Sequence, residues 1–221
     1  MSIFLLAGAI NAEGGNDLKT EKDRVSYSIG MDIGGNLKSQ GIDIDPEILA
    51  QGLVDTFKGE NTKLTQEEFS EAMTNFQKKM MAKQAELQQA ASGNNAKEGE
   101  TFLSENKTKD GVVELPSGLQ YIIVSEGSGD SPKATDTVSV HYKGTLIDGT
   151  EFDSSYGRGE PAEFPVNRVI PGWTEALQLM KPGAKWQLFI PSDLAYGERG
   201  AGKMIGPNSA LIFDVELLAI K

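Results

Sequence analysis

Apolar residues recur at helical spacing through the first third of the chain and at a spacing of two through the last third, which predicts a helical region followed by a sheet. Val25, Ile29, Ile33 and Leu37 lie four apart within 22–40, Tyr27 and Met31 widen their stripe, and Gly41 stands as a stop, giving a first helix. Gly30, Gly34 and Gly35 inside it cost about 1 kcal/mol each relative to Ala, so either another backbone approaches closely there or the helix breaks. Asp45 precedes Pro46 as cap and first helical residue, and Ile48, Leu49, Leu53 and Phe57 share a face up to Gly59, giving a second helix. Thr65 and Glu68 have capping-box spacing, and Phe69, Met73, Phe76 and Met80 follow at intervals of four, three and four, opening a third helix.

Beyond Met81 the stripe thins to Ala, Gln, Lys and Glu, the composition of a solvent-bridging helix. Running from 65 to about 103 it would be roughly 60 Å long and act as a spacer. Ser92-Gly-Asn-Asn95 is its weak point, where it kinks, breaks or gives way to a linker. Two short helices and one Phe/Met stripe are too little for an independent core, so the region through 20–80 is expected to bury its apolar face in a homodimer.

After Pro116-Ser-Gly118 the period changes. Strands are predicted at 119–124, 138–142, 184–190 and 210–220, with Asp148-Gly149 as a hairpin turn and Trp173, Ala176, Leu177 and Met180 on one face of a short helix beginning near Gly172. The fold class is α+β: an antiparallel sheet on one short helix. The expected organisation is an apolar N-terminus at 1–12, a helical dimerisation domain at 20–64, a long connecting helix at 65–110 and the sheet domain at 115–221.

Composition narrows the function. A net charge of −11 over 221 residues would repel phosphate backbones and anionic lipid, so no nucleic acid partner is expected. No cysteine and a single histidine, His141, leave no thiolate nucleophile and no credible metal site, and no cofactor motif occurs. The apolar stretch at 1–12 has the length of a signal-peptide core and small residues for cleavage after Ala9 or Ala12. No Lys or Arg precedes Lys19, so it is either a signal whose start lies upstream or a plain apolar N-terminus, and it is too short to span a bilayer. No integral membrane segment is expected elsewhere.

No nucleophile-base pair, phosphate loop or carboxylate pair is apparent. What stands out is a set of aromatic and aliphatic residues beside turns and at element ends: Tyr142, Phe152, Phe164, Val169, Ile170, Trp173, Tyr196 and Phe213. By residue type alone, each is more at home in a core than against a ligand.

Val140-His-Tyr-Lys-Gly144, Gly149-Thr-Glu-Phe-Asp-Ser-Ser155, Val169-Ile-Pro-Gly-Trp173, Leu194-Ala-Tyr-Gly197 and Leu211-Ile-Phe-Asp214 occur in the order and spacing of FK506-binding proteins, which the last hundred residues resemble. Tyr27-Ser-Ile-Gly-Met-Asp32, Gln40-Gly-Ile-Asp-Ile-Asp-Pro46, Phe76-Gln-Lys and Leu115-Pro-Ser-Gly-Leu-Gln-Tyr121 extend the resemblance to macrophage infectivity potentiator-like isomerases of Gram-negative bacteria. The resemblance implies a peptidyl-prolyl cis/trans isomerase whose half-wrapped sheet frames an apolar proline pocket, carried by a long helix from a V-shaped dimer. Tyr142, Asp153, Tyr196 and Phe213 would act on the bond. Phe152, Phe164, Val169 and Ile170 would bind substrate, with Trp173 as the floor and Ile205 in the closing loop. The Ile170 backbone N–H and the Tyr196 hydroxyl would donate to substrate carbonyls, and Asp153 would orient Tyr142 rather than act as a base. Without the resemblance, Asp153 also reads as a turn carboxylate accepting backbone N–H groups. Ala162 and Ala201 depart from the family pattern, which implies a more open pocket. His141 alternates with Tyr142 and so should point away from it.

The partners implied are proline-containing unfolded or partly folded proteins, and FK506/rapamycin-type macrolides. The location implied is the periplasm or outer membrane of a Gram-negative bacterium, with the cytoplasm as fallback. The competing expectation is a dimeric chaperone in which the helical region holds clients and the pocket only docks proline segments. Isomerase activity surviving removal of residues 1–110 would separate the two.

Overall fold

The computed structural model describes residues 18–221, so the apolar stretch at 1–12 lies outside the described residues. The chain divides into two compact units, with the boundary between Met73 and Thr74.

In the first unit, helix α1 (Glu21–Ser39) opens with a capping box, the Thr20 hydroxyl accepting from the Asp23 N–H while the Asp23 carboxylate accepts from the Thr20 N–H. Gly41 follows at φ 61°, the left-handed conformation that ends a helix. Helix α2 (Pro46–Lys58) has Asp45 as N-cap, Pro46 in its first turn and Gly59 at φ 70°. Neither helix buries an apolar side chain, and a Cβ at Gly30, Gly34 or Gly35 would meet nothing within 4 Å. The close backbone approach expected there is therefore absent among the described residues of this chain.

Helix α3 (Gln66–Asn106) starts from the predicted Thr65–Glu68 capping box and is continuous through Ser92–Asn95. Its second half is not a solvated spacer. Gly99 and Asn106 are buried, the Phe102 ring lies 5.9 Å from that of Phe189, and the Asn106 amide donates to Gln120 Oε1 at 3.0 Å. Gln120 in turn donates to the Leu103 carbonyl at 2.9 Å. Polar and small residues carry this docking, which is why hydrophobic periodicity alone does not announce it.

The second unit also holds a seven-stranded sheet. Its strands are β1 (Val113–Glu114), β2 (Gln120–Ser125), β3 (Thr137–Leu146), β4 (Glu151–Ser154), β5 (Ala162–Pro165), β6 (Lys185–Ile190) and β7 (Leu211–Ile220). All pairings are antiparallel, in the order β1-β2-β6-β7-β3-β4, with β5 also pairing with β3. The four longer strands fall where the period of two predicts them. β1, β4 and β5 are too short for alternation to register. Along β7, Leu211, Phe213, Val215 and Leu217 are buried while the residues between them are not, the signature of a one-sided sheet. Helix α4 (Pro171–Leu177) sets Trp173, Ala176 and Leu177 against the buried faces of β3, β6 and β7, closing one hydrophobic core. No helix among the described residues is long and apolar enough to cross a membrane.

Candidate functional site

A cavity of about 670 Å³ opens beside α4. Its floor is Trp173, whose ring is met edge-on by three others: Phe213 at 5.2 Å, Tyr142 at 5.3 Å and Phe164 at 5.8 Å between centroids, with interplanar angles of 80–90°. Phe152 stands edge-on to Phe213 at 5.5 Å. Such packing locks the rings and leaves a rigid apolar surface. Gly144 is required for it, because a Cβ there would fall 2.7 Å from both the Phe152 and Phe213 rings.

These side chains come from separate elements: Tyr142 from β3, Phe152 and Asp153 from β4, Phe164 from β5, Trp173 from α4 and Phe213 from β7. Val169 and Ile170 line the wall where the chain enters α4. Tyr196 lines another side, between the 3₁₀ turns Ser192–Leu194 and Gly197–Arg199, and Ile205 comes from the loop leading to β7. All ten residues singled out in the sequence thus border one cavity. Ala201 and Met204 border it too, whereas Ala162 packs into the core beside it.

One participant has no sequence signal. Arg158, at the end of the 3₁₀ turn Tyr156–Arg158, donates to Asp153 Oδ1 at 2.7 Å and to the Tyr142 hydroxyl at 2.8 Å. Tyr142 donates to Asp153 Oδ2 at 2.5 Å, closing a three-membered ring of hydrogen bonds at the pocket rim. An arginine in a loop has no periodicity to betray it. Its only clue is opposite charge five residues after Asp153.

Burial alone would raise the Asp153 carboxyl, but the hydrogen bonds from Tyr142 and Arg158 and the guanidinium charge outweigh it and hold the group below the ordinary carboxylate range. Both carboxylate oxygens are engaged, so Asp153 is built to fix Tyr142 and is poorly placed to accept a substrate proton. Burial raises Tyr142, and the bond to Asp153 adds to this. Burial also raises Tyr196, with the Asp153 charge as the second cause. Both phenols therefore remain protonated donors across neutral pH. Neither the Tyr196 hydroxyl nor the Ile170 N–H has an acceptor within the protein among the described residues. The Trp173 indole N–H, at the floor, also lacks one.

Behind the rim, Ser155 is completely buried. Its hydroxyl accepts the Tyr142 N–H at 2.8 Å and lies 3.0 Å from His141 Nδ1, and its own N–H bonds the Tyr142 carbonyl. This side chain continues the β3–β4 ladder past its last pair, Lys143 with Ser154, where the chain turns away to carry Arg158. His141 stacks on Tyr156 at 4.8 Å and does not border the cavity, as alternation along β3 predicts.

Residues 129–218 match the family model described as FKBP-type peptidyl-prolyl cis-trans isomerase, and residues 22–123 match the domain amino terminal to such isomerases. The chain is 52% identical to the outer membrane protein MIP of Legionella longbeachae, covering 98% of this chain and 93% of that protein. It is 45% identical to the peptidyl-prolyl cis-trans isomerase Mip of Coxiella burnetii over 100% and 96% of the two chains. Among solved structures, FkpA from Escherichia coli aligns with a TM-score of 0.76 at 39% identity, covering 92% of this chain and 98% of that one.

Proposed function

The chain belongs to the FKBP-type peptidyl-prolyl cis-trans isomerases, and on that premise we propose that the Trp173-floored cavity is where it accelerates rotation about X-Pro bonds in proteins that are still folding. The observation that carries the assignment of the site is the convergence of the aromatic cage, two free donors and the Tyr142–Asp153–Arg158 ring on one cavity.

Rotation must cross roughly 18–20 kcal/mol because the twisted amide loses its resonance. No bond breaks, so a site accelerates it by binding the twisted amide more tightly than either planar isomer. Twisting reduces the charge separation of the amide, and a water-poor aromatic pocket favours the less polar state. In this reading Trp173, Phe164, Phe213 and Val169 grip the prolyl ring. The Ile170 N–H and the Tyr196 hydroxyl take the flanking carbonyls, and Tyr142, held by Asp153 and Arg158, fixes the rim.

The same pocket is proposed to accept FK506/rapamycin-type macrolides in competition with substrate. The first unit is proposed to pair with a second copy of this chain, because its helices hold no apolar core of their own. Export is proposed from the apolar stretch at 1–12 together with the similarity to an outer membrane protein. A holdase reading draws on the exposed apolar side chains of the same helices.

The test is protease-coupled isomerisation of a short X-Pro peptide by the full chain and by folded Phe213→Ala, Tyr196→Ala and Asp153→Ala variants. The expected result is a fall in kcat/KM of about 10-fold or more, each tenfold corresponding to about 1.4 kcal/mol of lost transition-state binding. Full activity in all three folded variants would move the site elsewhere. A folded wild type with no rate above the spontaneous one, yet suppressing aggregation of an unfolded client, would favour the holdase.

A further inference from the structure

Ser92-Gly-Asn-Asn95 is the poorest helix-forming run in α3, yet the helix passes through it unbroken. A local sequence that opposes its own structure is usually retained for a contact made elsewhere. Here the contact is with the loop between Gly197 and Ala210. Asn95 Nδ2 donates to the Pro207 carbonyl at 2.8 Å and to Ser209 Oγ at 3.3 Å, and Asn208 Nδ2 donates to Ser92 Oγ at 2.7 Å. Ser92 and Asn95 lie three residues apart and so share a face. The fit leaves no slack: a Cβ at Gly206 would stand 2.8 Å from Asn95 Nδ2, and one turn further along, a Cβ at Gly99 would stand 3.1 Å from that of Ala210.

The loop is held in an unusual conformation. Asn208 is the one non-glycine residue with positive φ among the described residues, at 56°, a region that Asn tolerates better than most. Its N–H bonds the Gly197 carbonyl at 2.8 Å, so this one residue ties the loop's two ends together while its side chain ties both to α3. Between those ends, Ala201 and Ile205 exchange backbone hydrogen bonds at 2.8 and 3.1 Å, and the Ala201–Ile205 segment forms one wall of the proline cavity. Val169 and Ile170, where the chain enters α4, also line the cavity.

We infer that the Ser92–Asn95 face of α3 positions the Ala201–Ile205 wall of the pocket and thereby sets how the isomerase discriminates between residues flanking the proline. The inference rests on the pocket assignment above. Met204 and Ile205 present apolar surface beside the aromatic cage, so the side chain next to proline is the part of a substrate that a displaced wall would touch differently. Ser92 and Asn95 touch no substrate and act through the loop.

The experiment uses the full chain carrying Ser92→Ala, Asn95→Ala or both, assayed on two peptides that differ only in Ala or Leu before proline. Asn106→Ala serves as control, because it cuts the other end of the α3 docking, at Gln120, without contact with the loop. The double variant should lose about 5- to 10-fold in kcat/KM on the Leu peptide, since small misplacements of a positioning wall carry large rate effects. Its preference between the two peptides should shrink, while Asn106→Ala lowers the melting temperature and leaves the preference intact. Methyl NMR of Met204 and Ile205 in single Asn95→Ala should show displaced or doubled signals, which keeps the question answerable if the double variant does not fold.

A folded double variant with wild-type kinetics on both peptides, an equal loss of preference in Asn106→Ala, or unmoved Met204 and Ile205 methyls would overturn the inference. Failure of the pocket assignment is seen separately, as unchanged activity in all three of the folded Phe213→Ala, Tyr196→Ala and Asp153→Ala variants.

Discussion

The ring formed by Tyr142, Asp153 and Arg158 concentrates the electrostatics of the pocket in three side chains, and it makes a pH prediction with a definite sign. Asp153 and Arg158 are each nearly half exposed, so their pairing contributes modestly to global stability. Because the folded carboxyl is lowered, whatever stability it adds is present above the unfolded carboxyl value of about 3.9 and is lost as pH falls through the folded one. The rate should therefore stay flat through neutral pH and decline only below the ordinary carboxylate range. In Arg158→Gln the guanidinium charge and its hydrogen bond are gone while burial remains, so the acid limb should move to higher pH. A pH-rate profile of both proteins on one peptide checks this, and coincident acid limbs would remove Arg158 from the site. The ten residues bordering the cavity were legible only through the family resemblance, eight of them inside its ordered motifs with Phe164 and Ile205 between them, because by residue type alone the aromatic and aliphatic ones read as core. Arg158 and Ser155 were not, because a guanidinium reaching back over a turn and a hydroxyl replacing a ladder partner depend on loop geometry that no periodicity encodes.

At the scale of elements, α3 shows where pattern reading stops. Caps and stops named the starts of α2 and α3 and the ends of α1 and α2, since those signals are local. The docking face of α3 is also periodic, running through Ser92, Asn95, Gly99, Phe102 and Asn106, but it is written mostly in small and amide side chains that a hydrophobicity pattern treats as solvent-facing. The consequence bears on any truncation. A fragment covering 111–221 loses the hydrogen bonds of Gln120 with Asn106 and Leu103, from Asn95 to Pro207 and from Asn208 to Ser92, together with the Phe102–Phe189 contact, whereas a fragment covering 74–221 keeps them. At about 1 kcal/mol net for each hydrogen bond lost, the shorter fragment should be less stable by roughly 3 kcal/mol or more. Urea denaturation of the two fragments measures the difference directly. Equal midpoints would mean that the second half of α3 contributes nothing to the sheet domain. Removing residues 1–110 is accordingly an unsuitable way to separate isomerase from holdase activity, because it strips part of the domain along with the helical region.

For the whole molecule, the distribution of buried residues is lopsided, in line with the first two helices having too few apolar positions for an independent core. Among the described residues, every buried apolar side chain lies at Leu119 or beyond, while the first unit leaves Ile29, Leu53 and Phe57 in the open, Phe57 at 91% exposure. Helices of 19 and 13 residues with no packed face are marginal in water, so helices this well capped imply a covering surface. The second copy proposed above would supply that covering: α1 exposes Ile29 together with open glycines at 30, 34 and 35, small residues that let another backbone approach, and α2 exposes Leu53 and Phe57. Phe57→Glu or Leu53→Glu should then give a monomer by sedimentation and weaken the helical circular dichroism of the first unit. The wild type should lose helicity on dilution, because a dimer's stability depends on protomer concentration. The pocket is built wholly from residues of the second unit, so kcat/KM per chain on a short peptide should remain within about 2-fold of wild type. A monomeric variant that retains peptide isomerisation but no longer prevents aggregation of an unfolded client would assign client holding to the paired helical units and bond rotation to the sheet domain. A variant that stays dimeric with Phe57 charged would instead leave that face open to clients and place the contact between copies elsewhere in the first unit.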